Sequence, residues 1–259
     1  VGTHGLSYCA HVQAAVGCLA PPALASQFLD SGGFSSAYHG GIRQGGAFEL
    51  KQATWALKHA RLSPATRADA ARRAALEAVD IREWFAHMPW RPGHSPVSAA
   101  PEYEAYLFEQ WRRGEFDDYW RRLGLYAAGR YDAYADVPMV HLSSWYDPYA
   151  STACENFLGL SRRKRGPVHL VLGPWTHGRR SERWAGDVDF GAEAPFDVAF
   201  GCDFFEFRRR WFEHTLRGGG ADPFDGRRVA YFVMGGGSGR RTAEGRLNHG
   251  GRWRFAADW

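Results

Sequence analysis

Between Val137 and Leu172 the sequence changes its hydrophobic period twice, and this stretch limits the possible folds more than any other. Val137 to Leu142 is a short apolar run opened by Pro138, and residues 149–160 suit a helix. Ser161 to Gly166 is a basic turn, and Val168 to Leu172 is a second apolar run rich in β-branched residues. Strand, helix and strand within about 35 residues make the βαβ unit of a parallel sheet. An α/β fold is therefore expected.

The flanking sequence fits a sheet built this way. Val1 to Thr3 reads as the end of a strand, Gly5-Leu6-Ser7-Tyr8 as a turn, and Cys9 to Leu19 as a helix that Pro21-Pro22 stops. Residues 31–46 are rich in Gly and Ser and hold no period, so they are expected to be loop. From Leu50 to about Leu125 the pattern is helical. Ser63-Pro64 supplies an N-cap with proline at the first helical position, and Ala65 to Val79 then runs on in Ala, Arg and Leu. Trp84, Phe85, Trp90, Tyr103, Phe108, Trp111, Tyr119 and Trp120 follow, more in the manner of a core than of a cofactor box. Phe204 to Leu216 is amphipathic and stops at Gly218, and Arg228 to Met234 is one more strand.

Composition excludes several classes. A chain of 259 residues with 45% hydrophobic, 23% charged and 15% aromatic residues is globular, not disordered, collagenous or coiled-coil. Lys+Arg 32 against Asp+Glu 28 leaves a formal +4, too little to imply nucleic acid. Cys9, Cys18, Cys154 and Cys202 form no C-x-x-C pair, and the histidines form no H-E-x-x-H, so neither a metal nor another cofactor is expected. No apolar run reaches the roughly 18 residues of a membrane helix. A cytoplasmic location is the expectation, and oligomeric state does not follow from the sequence.

Three residues stand out because each follows a strand: Ser7 in G-T-H-G-L-S-Y, Asp147 in S-S-W-Y-D-P-Y, and His177 in G-P-W-T-H-G. Loops after parallel strands gather at the carboxyl edge of a sheet, where ligands bind. Ser, then Asp, then His is the α/β-hydrolase order. A serine hydroxyl needs a histidine to take its proton, and the histidine needs a carboxylate to fix its tautomer. The N–H after the serine, that of Tyr8, is the expected oxyanion donor, a contribution of roughly 3 kcal/mol. Each residue also has a plainer reading. Ser7 could cap a helix, Asp147 before Pro148 could open a turn, and His177 could be a solvent-exposed loop residue. The G-x-S-x-G pattern is broken by Cys9. Gly235 to Gly239 reads as a loop, Arg162 to Arg165 as a solvated turn, Asp132 and Asp136 as residues at the opposite sheet edge, and Asp187 and Asp189 as surface loop.

Together V-G-T-H-G-L-S-Y, L-S-S-W-Y-D-P-Y, L-V-L-G-P-W-T-H-G, F-E-H-T-L-R-G and V-A-Y-F-V-M-G resemble the CocE/NonD hydrolases, of the Xaa-Pro dipeptidyl-peptidase-like α/β-hydrolases. The resemblance implies Ser7 as nucleophile, Asp147 as acid, His177 as base and the Tyr8 N–H in the oxyanion hole. It implies α/β-hydrolase core over 1–40 and 126–220, a helical cap over 41–125, and the start of a C-terminal jelly roll over 221–259. The family's early strands, with a tyrosine that is its second oxyanion donor, would then precede Val1. A partial parallel sheet with an unpaired edge and poor solubility is thus expected. Ala10 stands where the family usually has glycine. The implied activity is serine hydrolysis of an acyl ester or amide through an acyl-enzyme, with a small-molecule ester or a peptide as substrate and possibilities that include Xaa-Pro dipeptide release and β-lactam acyl chemistry. The alternative is a catalytically incompetent fragment or a non-catalytic binding module.

Overall fold

The computed structural model describes all 259 residues, which divide into two compact units, Val1–Gly41 with Trp120–Trp259, and Ile42–Tyr119. The first unit opens with β1 (Gly2–Leu6), α1 (Tyr8–Leu19) and β2 (Ser26–Asp30). The strand β2 was not foreseen.

The second unit begins with two short strands, β3 (Arg43–Gln44) and β4 (Ala47–Phe48), paired as a hairpin across Gly45-Gly46. Both glycines have positive φ (54° and 90°), which such a tight reversal requires. Strand β3 interrupts the stretch 31–46 that the sequence presents as loop. Helices α2 (Lys51–Leu62), α3 (Pro64–Ala68), α4 (Ala70–Glu77), α5 (Ile81–Ala86) and α6 (Pro101–Arg112) follow. The Ala65–Val79 run is two helices, not one. Asp69 takes extended backbone angles and its carboxylate accepts the Arg72 N–H, so it ends α3 and caps α4. The core of this unit is Ala53, Ala56, Leu57, Leu76, Trp90, Leu107 and Phe108. Trp111 stacks on Phe48 and Phe108, so these aromatics serve as packing.

The first unit resumes with β5 (Met139–Tyr146), α7 (Ala150–Ser161) and β6 (Val168–Thr176), the expected βαβ unit. Next come β7 (Trp184–Ala185), β8 (Val188–Asp189), α8 (Phe196–Phe200), α9 (Phe204–Arg217), β9 (Val229–Met234), β10 (Leu247–Asn248) and β11 (Gly251–Ala256). The main sheet runs β1-β2-β5-β6-β9-β11. Its first five strands are parallel, and β11 is antiparallel to β9. Strand β9, assigned by resemblance to the opening of a C-terminal β domain, here pairs with β6 (Leu170 with Val229) and continues the same sheet.

Each central strand buries both faces, as a parallel sheet between helices must. One face packs Leu29, Met139, Leu170 and Leu172 with Ala10 and Ala14 of α1 and Phe157 and Leu160 of α7. The other packs Phe28, Val140, Leu142 and Val171 with Phe196 of α8 and Phe207 and Trp211 of α9. Helix, sheet and helix form three layers, an α/β-hydrolase-like arrangement. Asp132 and Asp136 pair with Arg163 and Arg165 of the basic turn ahead of β6, at the amino ends of the strands. Asp189 departs from its expected surface position. It is buried in the small β10-β8-β7 sheet, where it pairs with Arg183 at 2.9 Å and accepts the Gly191 N–H.

Candidate active site

Ser7 joins the last residue of β1 to the first of α1 with φ 61° and ψ −119°. That conformation is strained for a residue with a Cβ and belongs to a sharp strand-to-helix turn. A capping serine takes extended angles and accepts a helix N–H. Ser7 does neither, since its side chain makes no cap hydrogen bond. The turn is held by backbone: the Ser7 N–H donates to Asp30 O at 2.8 Å, and Ser7 O accepts the Ala10 and His11 N–H groups at 2.8 and 3.1 Å.

The tightness of the turn explains its glycine. A Cβ on Gly5 would lie 2.3 Å from the Cys9 Cβ, so only one of the two positions can carry a side chain. Cys9 in place of the second elbow glycine is thus accommodated by the first. Tyr8, exposed at the start of α1, presents one of the N–H groups that a helix cannot satisfy internally.

Asp147 follows β5 and its carboxylate is out of contact with solvent. One oxygen, Oδ1, accepts the Tyr149 N–H at 2.8 Å; the other, Oδ2, lies 2.7 Å from His177 Nδ1. One carboxylate oxygen thus opens the Asp-Pro turn while the other contacts the histidine. His177 follows β6, whose pairing with β5 shifts register between Ser144 and Tyr146. Bulges of this kind re-aim side chains beside functional sites.

The two loops meet directly. A Cβ on Gly178 would stand 3.1 Å from Leu6 Cδ2, so the neighbour of His177 packs on the neighbour of Ser7. The structure thus brings His177 and Asp147 into a hydrogen bond and seats Ser7 on the adjoining turn. No hydrogen bond joins His177 to the Ser7 hydroxyl. Such contacts are often open in a free enzyme and close around substrate.

Beside the turn lies a cavity of about 430 Å³, lined by Leu6, Asp30, Gly178, Arg180, Phe204 and Arg208 among others. Arg180 forms an ion pair with the buried Asp30 carboxylate and covers the Phe204 ring. Burial, aided by the nearby Arg208 charge, lowers the Arg180 pKa to about 10. Sequence reasoning missed this pair because Asp30 and Arg180 are 150 residues apart and share no motif. The contact of the Tyr149 amide with Asp147 was signalled by the D-P-Y spacing, since Asp accepts from the N–H two residues on.

No three or more His, Cys, Asp or Glu side chains gather as a metal site. Gly235–Gly239 leads into β10, not a helix, so it lacks the geometry of a phosphate loop. In the helical unit, Glu102 pairs with Arg72, Glu104 accepts from Gly93 N and Ser95 Oγ, and Asp117 pairs with Arg113. No helix is long and apolar enough to cross a membrane.

The profile of the X-Pro dipeptidyl-peptidase (S15) family matches residues 1–179, most of the chain and all three strand-end residues. The chain belongs to the S15 family. Solved structures similar to this S15 chain agree on the fold. They include an aminopeptidase from a marine sediment Thaumarchaeota archaeon (17% identity, TM-score 0.62) and an α-amino acid ester hydrolase (16%, 0.61). A CocE/NonD family hydrolase from Staphylococcus aureus is a third (16%, 0.57). Each match covers 100% of this chain but only 39%, 39% and 34% of the other, so the S15 chain spans little more than a third of these relatives. No curated protein sequence matches it.

Proposed function

We propose that this chain carries the serine hydrolase centre of an S15-family enzyme that cleaves an acyl ester or amide. Ser7 is the nucleophile, His177 the base, Asp147 its orienting carboxylate and the Tyr8 N–H an oxyanion donor. The observation that carries this reading is the Ser7 backbone: a serine that pays for positive φ without capping its helix is strained for a reason other than folding.

The chemistry follows from the donor set. Asp147 Oδ2 can only accept, so His177 Nδ1 carries the proton and Nε2 has the free lone pair. In the first half-reaction the Ser7 oxygen adds to the acyl carbon as Nε2 takes the hydroxyl proton. Nε2 then gives that proton to the leaving alcohol or amine as its bond to the acyl carbon breaks. In the second, water adds to the acyl-enzyme, Nε2 takes its proton, and the proton returns to Ser7 as the acid departs. Asp147 holds the imidazolium in both halves.

Family membership supports a hydrolase, with a small-molecule ester or an Xaa-Pro peptide as the substrate class. Fluorophosphonate labelling tests the centre. Wild type is expected to label and to turn over a p-nitrophenyl ester, and both signals are expected to vanish in Ser7→Ala. Equal labelling of Ser7→Ala would overturn the assignment. Absence of labelling and turnover in the wild type would favour a non-catalytic module.

A further inference from the structure

We propose that His11 and Tyr149 are positioning residues that hold the His177 imidazole in register with the nucleophile turn; this rests on the serine hydrolase reading above. Tyr149 touches both members of the acid–base pair. Its N–H donates to Asp147 Oδ1 at 2.8 Å, and its ring packs against the His177 imidazole at 5.6 Å between centroids, inclined by 63°. The backbone amide fixes the carboxylate while the ring limits the swing of the imidazole bound to that carboxylate.

Tyr149 is in turn backed by a stacked pair. His11 and Phe34 lie face to face, 3.7 Å between centroids and 8° from parallel, and the Tyr149 ring stands edge-on to both at 5.0 and 5.7 Å. Edge-to-face rings at the separations of the two Tyr149 contacts attract beyond simple area burial. His11 cannot rotate freely in the stack because the Gly33 N–H donates to its Nδ1 at 2.9 Å.

His11 also belongs to the helix that Ser7 starts, and its own N–H bonds Ser7 O at 3.1 Å. One continuous series of contacts therefore runs from the nucleophile turn through His11 and Tyr149 to the base. The loop that carries Phe34 reaches this position only because it is stripped of side chains where it crosses the turn. A Cβ on Gly32 would lie 2.6 Å from Ser7 O and 2.9 Å from Ala10 Cβ, and Gly33 has φ 86°.

The test is steady-state ester hydrolysis by Ser7→Ala, His11→Ala, His11→Phe, Tyr149→Ala and Tyr149→Phe, each checked for folding by circular dichroism. His11→Ala and Tyr149→Ala are expected to lower kcat roughly 10- to 100-fold, the scale of a small misplacement of a reacting group, with KM within about 2-fold of wild type. Tyr149→Phe keeps the ring and recovers most of the loss. His11→Phe keeps the stack but leaves the Gly33 N–H without its acceptor, so it falls between. Wild-type kcat in folded alanine variants overturns the inference, and so does a change in KM alone, which would make these rings substrate contacts. If an alanine variant fails to fold, the phenylalanine variants decide: a Tyr149→Phe loss of 10-fold or more removes the role assigned to the ring. Turnover surviving in Ser7→Ala is a distinct failure, of the hydrolase centre itself, and removes the inference with it.

Discussion

Asp147 and His177 meet through a 2.7 Å contact between Oδ2 and Nδ1 that involves a carboxylate side chain fully removed from solvent. The same carboxylate is fixed from behind by the Tyr149 N–H. In Asp147→Asn the amide oxygen would keep the Tyr149 bond and turn its NH₂ toward His177 Nδ1, which must then accept. The proton moves to Nε2, the atom that should be the base. We expect kcat/KM for a p-nitrophenyl ester to fall by about 10³- to 10⁴-fold while circular dichroism stays unchanged. A loss below 10-fold would mean that the carboxylate does not set the tautomer.

The turn before α1 makes a second, purely steric prediction. Gly5→Ala places a methyl 2.3 Å from the Cys9 Cβ, and the contact is between main-chain-anchored carbons that cannot rotate away. We expect Gly5→Ala alone to destabilise by about 1–3 kcal/mol, the usual range for overpacking. Cys9→Gly alone costs up to about 1 kcal/mol in helix propensity. In the double variant the clash is gone, so urea unfolding should give a loss well below the sum of the two single losses. Simple additivity in this cycle would show that the turn relaxes without these two atoms meeting.

What the sequence made legible, and what it hid, divides along physical lines. The βαβ unit was readable because Val137–Leu142 and Val168–Leu172 are short, largely apolar runs bounded by turn residues. Ser7, Asp147 and His177 could be singled out as candidates because a parallel sheet puts strand ends at one edge, a topological rule that needs no side-chain detail. Strand β2 escaped because S-Q-F-L-D has only two apolar residues, Phe28 and Leu29, and they serve opposite faces. The break at Asp69 was lost in a strongly helical composition that one cap residue overrides. Asp189 passed for surface because its partner, Arg183, lies across a two-residue hairpin that carries no hydrophobic period. The His11–Phe34–Tyr149 packing had no sequence signal at all, since it depends on three segments that meet only in the folded chain.

Asp203 gives a local stability test away from the site. Its carboxylate oxygen accepts the Phe205 and Glu206 N–H groups at 2.8 and 2.9 Å and so caps α9, the helix that carries Phe207 and Trp211 into the core. Asp203→Ala should cost about 1 kcal/mol, or about 2–4 °C in Tm for a chain of this size. Asp203→Asn should recover most of it in the same calorimetric scan. Equal Tm values for all three would remove the cap from the list of what holds α9 in place.

Acid sensitivity should come from two buried histidines. His141, in the middle of β5, has neither ring nitrogen hydrogen-bonded, and burial lowers its pKa from 6.5 to about 3. His169, stacked on Phe224 at 3.9 Å, is lowered to about 4, chiefly by burial, with Asp222 opposing. Both folded values lie below the unfolded one, so between pH 6.5 and about 4 the unfolded chain takes up protons that the folded chain refuses. Stability is therefore full above pH 6.5 and declines as the pH falls, by about 1.4 kcal/mol per pH unit for each histidine. His141→Leu removes one of these protons from the balance. At pH 7 it should already stabilise the fold, because two unpartnered buried nitrogens are replaced by carbon. Between pH 6.5 and 5 the urea-unfolding advantage of the variant over wild type should widen by about 2 kcal/mol. An advantage that stays constant over that range would show that His141 takes up its proton as readily in the folded chain as in the unfolded one.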